Sequence, residues 1–338
     1  MMMRMMTMNF STTTMTTTTS DTKSLRPAPL NLETINLLVE HQLGEWPDAA
    51  VRYHDLGRTQ RKPLDIGDLP FALQLNPARM VSTAADTSTE AIASRACFLC
   101  ASNRPKEQMC AEWMPGWDLC VNPFPILPIH FTIISREHRP QDRPPFEMAA
   151  MAEAAPELVI FFNGAGAGAS APDHLHTQGI LKSELPLITL AEKHHPSDRP
   201  GFLSSESFGL NLPFHFVSAV ITPDRQGAMM LRAIASAFGI DTDGNPDPGL
   251  INVFYWMGDD RMLRAVVVPR LSHRPHHYLN DEPDRIVVGP GAIDMAGLMI
   301  TPRPQDYERL DARLVREIYS EVAFADRLPE PIRQHFGL

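Results

Sequence analysis

An α+β fold built from two similar units is predicted by three features of the sequence. From Leu119 to His174 and beyond, apolar runs and chain breakers alternate in the order strand, strand, helix, strand, glycine-rich loop, strand. From Phe214 to Val268 that order returns faintly, which suits two α+β units packed as an intramolecular pseudo-dimer. At 338 residues and 43% hydrophobic content, the chain can form the core of one large domain or two modest ones.

Taken in order, Met1 to about Asp21 repeats Met, Thr and Ser with no apolar centre of the kind a secretory signal needs, so residues 1–28 read as a disordered leader. Leu32, Ile35, Leu38 and Val39 have helical spacing within Leu30 to Leu43, with Asn31 as its cap. The stretch from Val51 to Val81 is broken by Gly57, Pro63, Gly67 and Pro70 and reads as short strands and turns. One of them, Phe71 to Leu75, places Arg79 just beyond a strand end, where side chains meet ligands.

Leu119–Val121 and Ile129–Ile134 read as a hairpin around the loop Asn122 to Pro128, Pro145–Ala155 as a helix, and Leu158–Phe162 as an apolar strand. The run Asn163-Gly-Ala-Gly-Ala-Gly-Ala-Ser170 leads into a strand containing His174. The second half starts near Glu192 to Pro200, with strands at Phe214–Ile221, Ile251–Trp256 and Met262–Val268 and a helix at Gln226–Phe238. Its sharpest echo of the first half matches Ile133–Pro140 with Val267–Pro275, each an apolar strand running into Arg and then His-Arg-Pro.

A net charge of -10 argues against a long nucleic acid partner, though local Arg, His and amide groups can still hold a small anion. No run of 18 apolar residues exists, so no membrane span is expected. Four cysteines are too few for a disulfide scaffold. The pair Cys97-x-x-Cys100 suggests metal or redox use in a reducing compartment, taken as the cytoplasm. Cys110 and Cys120 have no partner spacing and read as structural, and His130 reads as a satisfied core histidine.

In a strand, His174, His176 and Gln178 share one face, and the preceding glycines leave backbone N–H groups uncovered for a phosphate. Neutral imidazole is a competent nucleophile. The segment alone also fits the polar face of an ordinary strand, or a His-x-His metal pair for which Gln178 would be an unusual third ligand.

The glycine run with Asp173-His-Leu-His-Thr-Gln178 resembles the active-site signature of the histidine-triad superfamily, in its transferase branch. That branch includes galactose-1-phosphate uridylyltransferase, diadenosine-tetraphosphate phosphorylase and the GDP-hexose phosphorylases. Asn122-Pro-Phe-Pro-Ile and Pro128 to Ile134 are similar to its preceding hairpin, and Gln74-Leu-Asn-Pro-Ala-Arg79 to a segment of the GDP-hexose phosphorylases. The resemblance covers roughly Leu64 to Leu187 with good motifs.

It implies two histidine-triad-like antiparallel-sheet units with flanking helices: residues 29–190 as the catalytic domain, and 200–338 as a degenerate repeat that completes the substrate site. It also implies that His176 attacks an α-phosphorus while Gln178 holds a phosphoryl oxygen. Superfamily hydrolases carry histidine at that third position, and its transferases glutamine. A departing phosphate needs no acid and a neutral amide activates no water, so glutamine suits transfer.

Further candidates follow. Asn163, the amides around Gly166 and Gly168, and Ser170 would stabilise phosphoryl oxygens, Arg79 would contact phosphate or base, and Asn122 a ribose hydroxyl or simply its own loop. In the uridylyltransferases a zinc site is completed by the equivalents of His138 and His174, so the resemblance implies structural zinc on Cys97, Cys100, His138 and His174. Arg270, His273, Arg274, His276 and His277 form a cationic cluster suited to an acceptor phosphate or to a solvated loop.

The reading is a monomeric or homodimeric phosphorylase that acts on a nucleotide sugar or dinucleotide with phosphate, without an organic cofactor. Its alternatives are a hexose-1-phosphate uridylyltransferase, a non-catalytic nucleotide-binding protein and a metallohydrolase.

Overall fold

The structure is a computed structural model that describes residues 27–83 and 88–338. The predicted leader therefore lies almost wholly outside the described residues. Among the described residues fourteen strands run in chain order: β1 (Gln60–Pro63), β2 (Ala72–Leu75), β3 (Cys110–Met114), β4 (Trp117–Val121), β5 (His130–Ser135), β6 (Leu158–Asn163), β7 (His176–Leu181), β8 (Gly201–Ser204), β9 (Val217–Ile221), β10 (Gly239–Ile240), β11 (Pro246–Asp247), β12 (Ile251–Met257), β13 (Leu263–Pro269) and β14 (Leu298–Thr301).

Nine of them form one sheet, ordered β3-β4-β5-β7-β6-β12-β13-β9-β8. Its pairings are all antiparallel, and β6 and β12 meet at its centre with Asn163 opposite Asn252. The two-unit fold class holds. In the first half β4, β5, the helix Glu147–Ala154, β6 and β7 follow one another. In the second half β8, β9, the helix Arg225–Ala235, β12 and β13 keep the same order, with β10 and β11 inserted between the helix and β12. Each half orders its strands first, second, fourth, third, and the two third strands pair at the seam.

This topology corrects the sequence echo. Ile133–Pro140 runs out of the end of β5, whose counterpart is β9, whereas Val267–Pro275 runs out of the end of β13, whose counterpart is β7. The two His-Arg-Pro segments therefore do not occupy equivalent positions in the two halves. The halves also differ between their third and fourth strands. Residues 164–175 join β6 to β7, but only 258–262 join β12 to β13, and β13 opens on Leu263 where β7 opens on His176.

Both faces of the sheet are covered, so β5, β6 and β13, and β12 up to Met257, are buried along their length, and most of them read as apolar runs. One face packs the helices Glu147–Ala154 and Arg225–Ala235 against Ile160, Phe162, Val253 and Tyr255. On the other face Phe161, Phe254, Trp256 and Val266 pack with Leu73, Ile300 and the helix Ala312–Val322. There a small sheet, β1-β2-β14, lays β14 parallel to β2.

The helix Leu32–Glu45 begins as predicted, with the Asn31 side chain accepting from the Thr34 N–H at 2.8 Å. Two other readings change. Residues 51–55 belong to a helix, Pro47–Asp55, started by Pro47 and Asp48, rather than to strands and turns. Cys110 and Cys120 lie opposite one another across β3 and β4 and are joined as a disulfide, a pairing that strand register creates and sequence spacing hides. Among the described residues, no helix is long and apolar enough to cross a membrane.

Candidate functional site

A cavity of about 600 Å³ opens on the sheet face that carries the small sheet, and both halves of the chain wall it. Of the predicted substrate contacts, Arg79, Asn122, Asn163, Gly168 and Ser170 line it beside His176 and Gln178; Gly166 does not.

The cavity exists because β6 and β7 part. Their ladder ends at the pair Phe161 and Gln178. Beyond it the fully buried Gln141 lies between the two backbones: its Nε2 donates to the Asn163 and His176 carbonyls, both at 2.9 Å, and its Oε1 accepts from the His176 N–H at 2.8 Å. One side-chain amide thus replaces the missing ladder, so these buried backbone groups keep partners while the strands diverge. Gln141 sits in a polar, proline-bearing loop with no local pattern around it, and sequence reasoning missed it.

His176 is buried, and burial depresses its imidazole to about 4, so the ring is neutral near pH 7. Its Nδ1 lies 2.8 Å from the His174 carbonyl. A carbonyl can only accept, so the proton sits on Nδ1 and Nε2 keeps its lone pair. Two residues on, Gln178 is set by a chain of three groups. The Ile126 N–H donates to His130 Nδ1 at 3.2 Å, and His130 Nε2 donates to Gln178 Oε1 at 2.7 Å. Burial holds His130 down at about 3, in the neutral state this chain requires. With Oε1 occupied, Gln178 has its NH₂ left to donate. The expected core histidine is satisfied as predicted and also orients the amide.

The glycine loop is divided in its use. Gly164 N–H donates to the Ile251 carbonyl at 2.9 Å and Gly166 N–H to the Gly249 carbonyl at 3.0 Å, so the Gly166 amide is spent on holding the loop to the second half. Among the described residues the amides of Gly168, Ala169 and Ser170 have no hydrogen-bond partner, and the three residues border the cavity. Gly168 has φ +101°, and a Cβ there would stand 2.6 Å from the Gly291 Cα, so only glycine fits.

The second half supports this loop through a buried relay. Arg270 NH1 donates to Asn252 Oδ1 at 2.6 Å. Asn252 Nδ2 donates to Asn163 Oδ1 at 2.9 Å and to the Ala167 carbonyl at 2.8 Å. Asn163 Oδ1 also accepts from the Ala292 N–H at 2.7 Å. Burial lowers Arg270 to about 10, still cationic near neutrality. Asn252 was not singled out from sequence, although a lone amide inside the apolar run Ile251–Met257 is itself a signal that a buried partner exists.

The remaining candidates separate. Arg79 NH1 donates to the Phe124 carbonyl at 2.7 Å, while its buried Nε has no partner. Asn122 Oδ1 accepts from the Phe124 N–H at 2.8 Å and its Nδ2 donates to Thr132 Oγ1 at 2.9 Å, so it shapes its own loop. Asp294, missed from sequence, lines the cavity and is pushed up to about 6 by burial, against pull from backbone N–H groups and Arg79. The cationic cluster is dispersed. His273 and Arg274 reach the cavity, Arg270 is consumed in the relay, and His276 and His277 face Glu321 and Glu317.

His174 does not share the strand face of His176. The strand starts at His176, and His174 lies in the turn before it with its N–H on the Ala171 carbonyl, its side chain directed to the cysteines. Its Nδ1 is 3.2 Å from Cys97 Sγ and 3.6 Å from Cys100 Sγ, and His138 Nδ1 is 3.2 Å from Cys100 Sγ. The donor atoms of all four residues lie within 4.8 Å of one another. Tetrahedral zinc sets sulfur and nitrogen ligands about 3.6 Å apart. His174 Nε2 donates to the Ser135 carbonyl at 2.7 Å, which leaves Nδ1 unprotonated, as a metal ligand must be. The four side chains therefore fit a metal ion, and none of them lines the cavity.

No curated protein matches the chain in sequence. Residues 38–181, under half of the chain, match the model of a domain of unknown function (DUF4922), and that segment ends with β7. Among solved structures the chain is similar to yeast Ap4A phosphorylase in complex with AMP, at 12% identity and a TM-score of 0.53 over 86% of this chain and 98% of that one. The same yeast enzyme in complex with Ap4A gives 14% identity and a TM-score of 0.51 over 85% and 97%. The fold is thus the one implied by the resemblance to the phosphorylase and transferase branch of the histidine-triad superfamily.

Proposed function

We propose that the chain is a nucleotidyl-transferring phosphorylase acting on a dinucleoside polyphosphate or a nucleoside diphosphate sugar, with phosphate as acceptor. The observation that carries this reading is the pairing on β7 of a neutral imidazole, its Nε2 lone pair left by the Nδ1 contact, with a Gln178 amide turned by His130 to donate. Nε2 of His176 attacks the α-phosphorus and forms a P–N bond as the P–O bond to the leaving phosphate breaks. A phosphate oxygen then attacks the same phosphorus and the P–N bond breaks, returning His176.

Gln178 and the amides of Gly168, Ala169 and Ser170 stabilise the phosphoryl oxygens. Arg79 and the second half's Arg274 supply positive charge at the cavity wall. Residues 29–190 would thus be the catalytic unit, completed by 200–338. The fold favours a dinucleoside polyphosphate as the first substrate to try, since the yeast phosphorylase that shares it was solved with AMP and with Ap4A.

Zinc on Cys97, Cys100, His138 and His174 would be structural. It would fix the turn ahead of His176 without reaching the substrate, which counts against the metallohydrolase reading. The test incubates the protein with Ap4A, with and without phosphate. The reading expects phosphate-dependent release of a nucleoside diphosphate. Equal cleavage in water alone, or none with dinucleotides and nucleotide sugars alike, would overturn it.

A further inference from the structure

A second group of donors lies behind the cavity wall, away from the cysteines: His276 and His277 at the start of the helix His276–Leu279, and Glu317 and Glu321 one turn apart on the helix Ala312–Val322. Their ligand atoms all fall within 4.8 Å of one another. Ordinary ion pairs account for part of this. Glu321 accepts from the His276 N–H at 2.7 Å and meets its Nδ1, and Glu317 also pairs with Arg313 at 3.1 Å.

The pairing of His277 with Glu317 is incomplete. The His277 Nε2 is buried and makes no hydrogen bond, although Glu317 Oε1 lies 3.4 Å away. A buried imidazole nitrogen without a hydrogen bond is costly, and a cation held between it and the carboxylates would take its lone pair.

We propose that His276, His277, Glu317 and Glu321 bind a divalent transition-metal cation, independently of the cysteine site and of the reaction at His176. Two neutral imidazoles and two carboxylates give a nitrogen and oxygen donor set of zinc, manganese or nickel type, and the two carboxylates balance the charge of the ion. The site joins the segment after β13 to the helix Ala312–Val322. His273 and Arg274 lie just ahead of it and line the cavity, and Ser272 Oγ already donates to the Glu321 carbonyl at 3.2 Å. The ion therefore braces the second half's contribution to the cavity.

The test is cobalt(II) titration of the chelator-treated full chain, with two readouts: total cobalt retained per chain, and the thiolate-to-cobalt charge-transfer band that only the cysteine pair can give. Wild type is expected to retain cobalt beyond the amount that the band reports. Glu317→Gln with Glu321→Gln should weaken that further binding by about tenfold or more, with the band unchanged. Arg313→Ala should leave both readouts unchanged. If the double variant fails to fold, His277→Gln carries the same expectation. Equal cobalt retention and affinity in wild type and variant would overturn the proposal, whether or not the cysteine band appears.

Discussion

Asn252→Ala removes one fully buried side chain that joins the two halves behind the glycine loop. Three hydrogen bonds go with it: from Arg270 at 2.6 Å, to Asn163 at 2.9 Å and to the Ala167 carbonyl at 2.8 Å. Asn163 Oδ1 keeps the Ala292 N–H, but Arg270 NH1 is left as a buried cationic donor without a partner. A hydrogen bond to a charged group is typically worth about 1.5–3 kcal/mol. The orphaned Ala167 carbonyl pushes the loss toward the upper end of that range.

Asn252→Asp separates the two directions of the relay. It keeps the volume and offers Arg270 a carboxylate, yet places oxygen against two acceptor oxygens at 2.8 and 2.9 Å. The loop should shift, and phosphorolysis should fall further than stability does. Urea unfolding followed by tryptophan fluorescence measures the first effect and turnover of Ap4A the second. An Asn252→Ala chain within about 1 kcal/mol of wild type would refute the reasoning, as would an Asn252→Asp chain with wild-type turnover.

Other perturbations test separate parts of the site. His130→Phe leaves the Ile126 N–H unpaired and frees Gln178 to turn; a stability loss of about 1–3 kcal/mol is expected, with kcat lowered and KM little changed, and unchanged kcat would count against the orienting role. Metal analysis should find zinc in the purified chain and little in Cys97→Ala, which should melt lower while its folded fraction still turns over; reversible loss of turnover on chelation would instead favour a catalytic metal. Asp294 has its folded pKa raised to about 6, above its ordinary value, so the folded chain holds that proton more tightly than the unfolded one. Its contribution is present below about pH 4 and lost as pH rises through about 6, so stability across that window should fall more in wild type than in Asp294→Asn; parallel profiles would contradict this.

What the sequence revealed follows the range of the interactions involved. The helix Leu32–Glu45, the β4–β5 hairpin, β6 and the pairing of His176 with Gln178 rest on local periodicity, caps and turn residues, and all were legible. Gln141, Asn252 and Arg270 act through partners far along the chain, and nothing near them in sequence marks that role. The Cys110–Cys120 disulfide depends on register, which spacing does not reveal. His174 was assigned to the strand by alternation. The chain instead turns there, because the strand has separated from β6 and Gln141 has taken over its backbone bonds.

The central claim is that His176 Nε2 becomes covalently bonded to phosphorus. Its most direct measurement incubates the protein with α-phosphorus-labelled Ap4A or nucleotide sugar, without acceptor, and follows label on the denatured chain. The account predicts an acid-labile, base-stable adduct that added phosphate discharges and that His176→Ala does not form. A wild-type chain that turns over substrate without ever holding label, or a His176→Ala chain that holds as much, would contradict it.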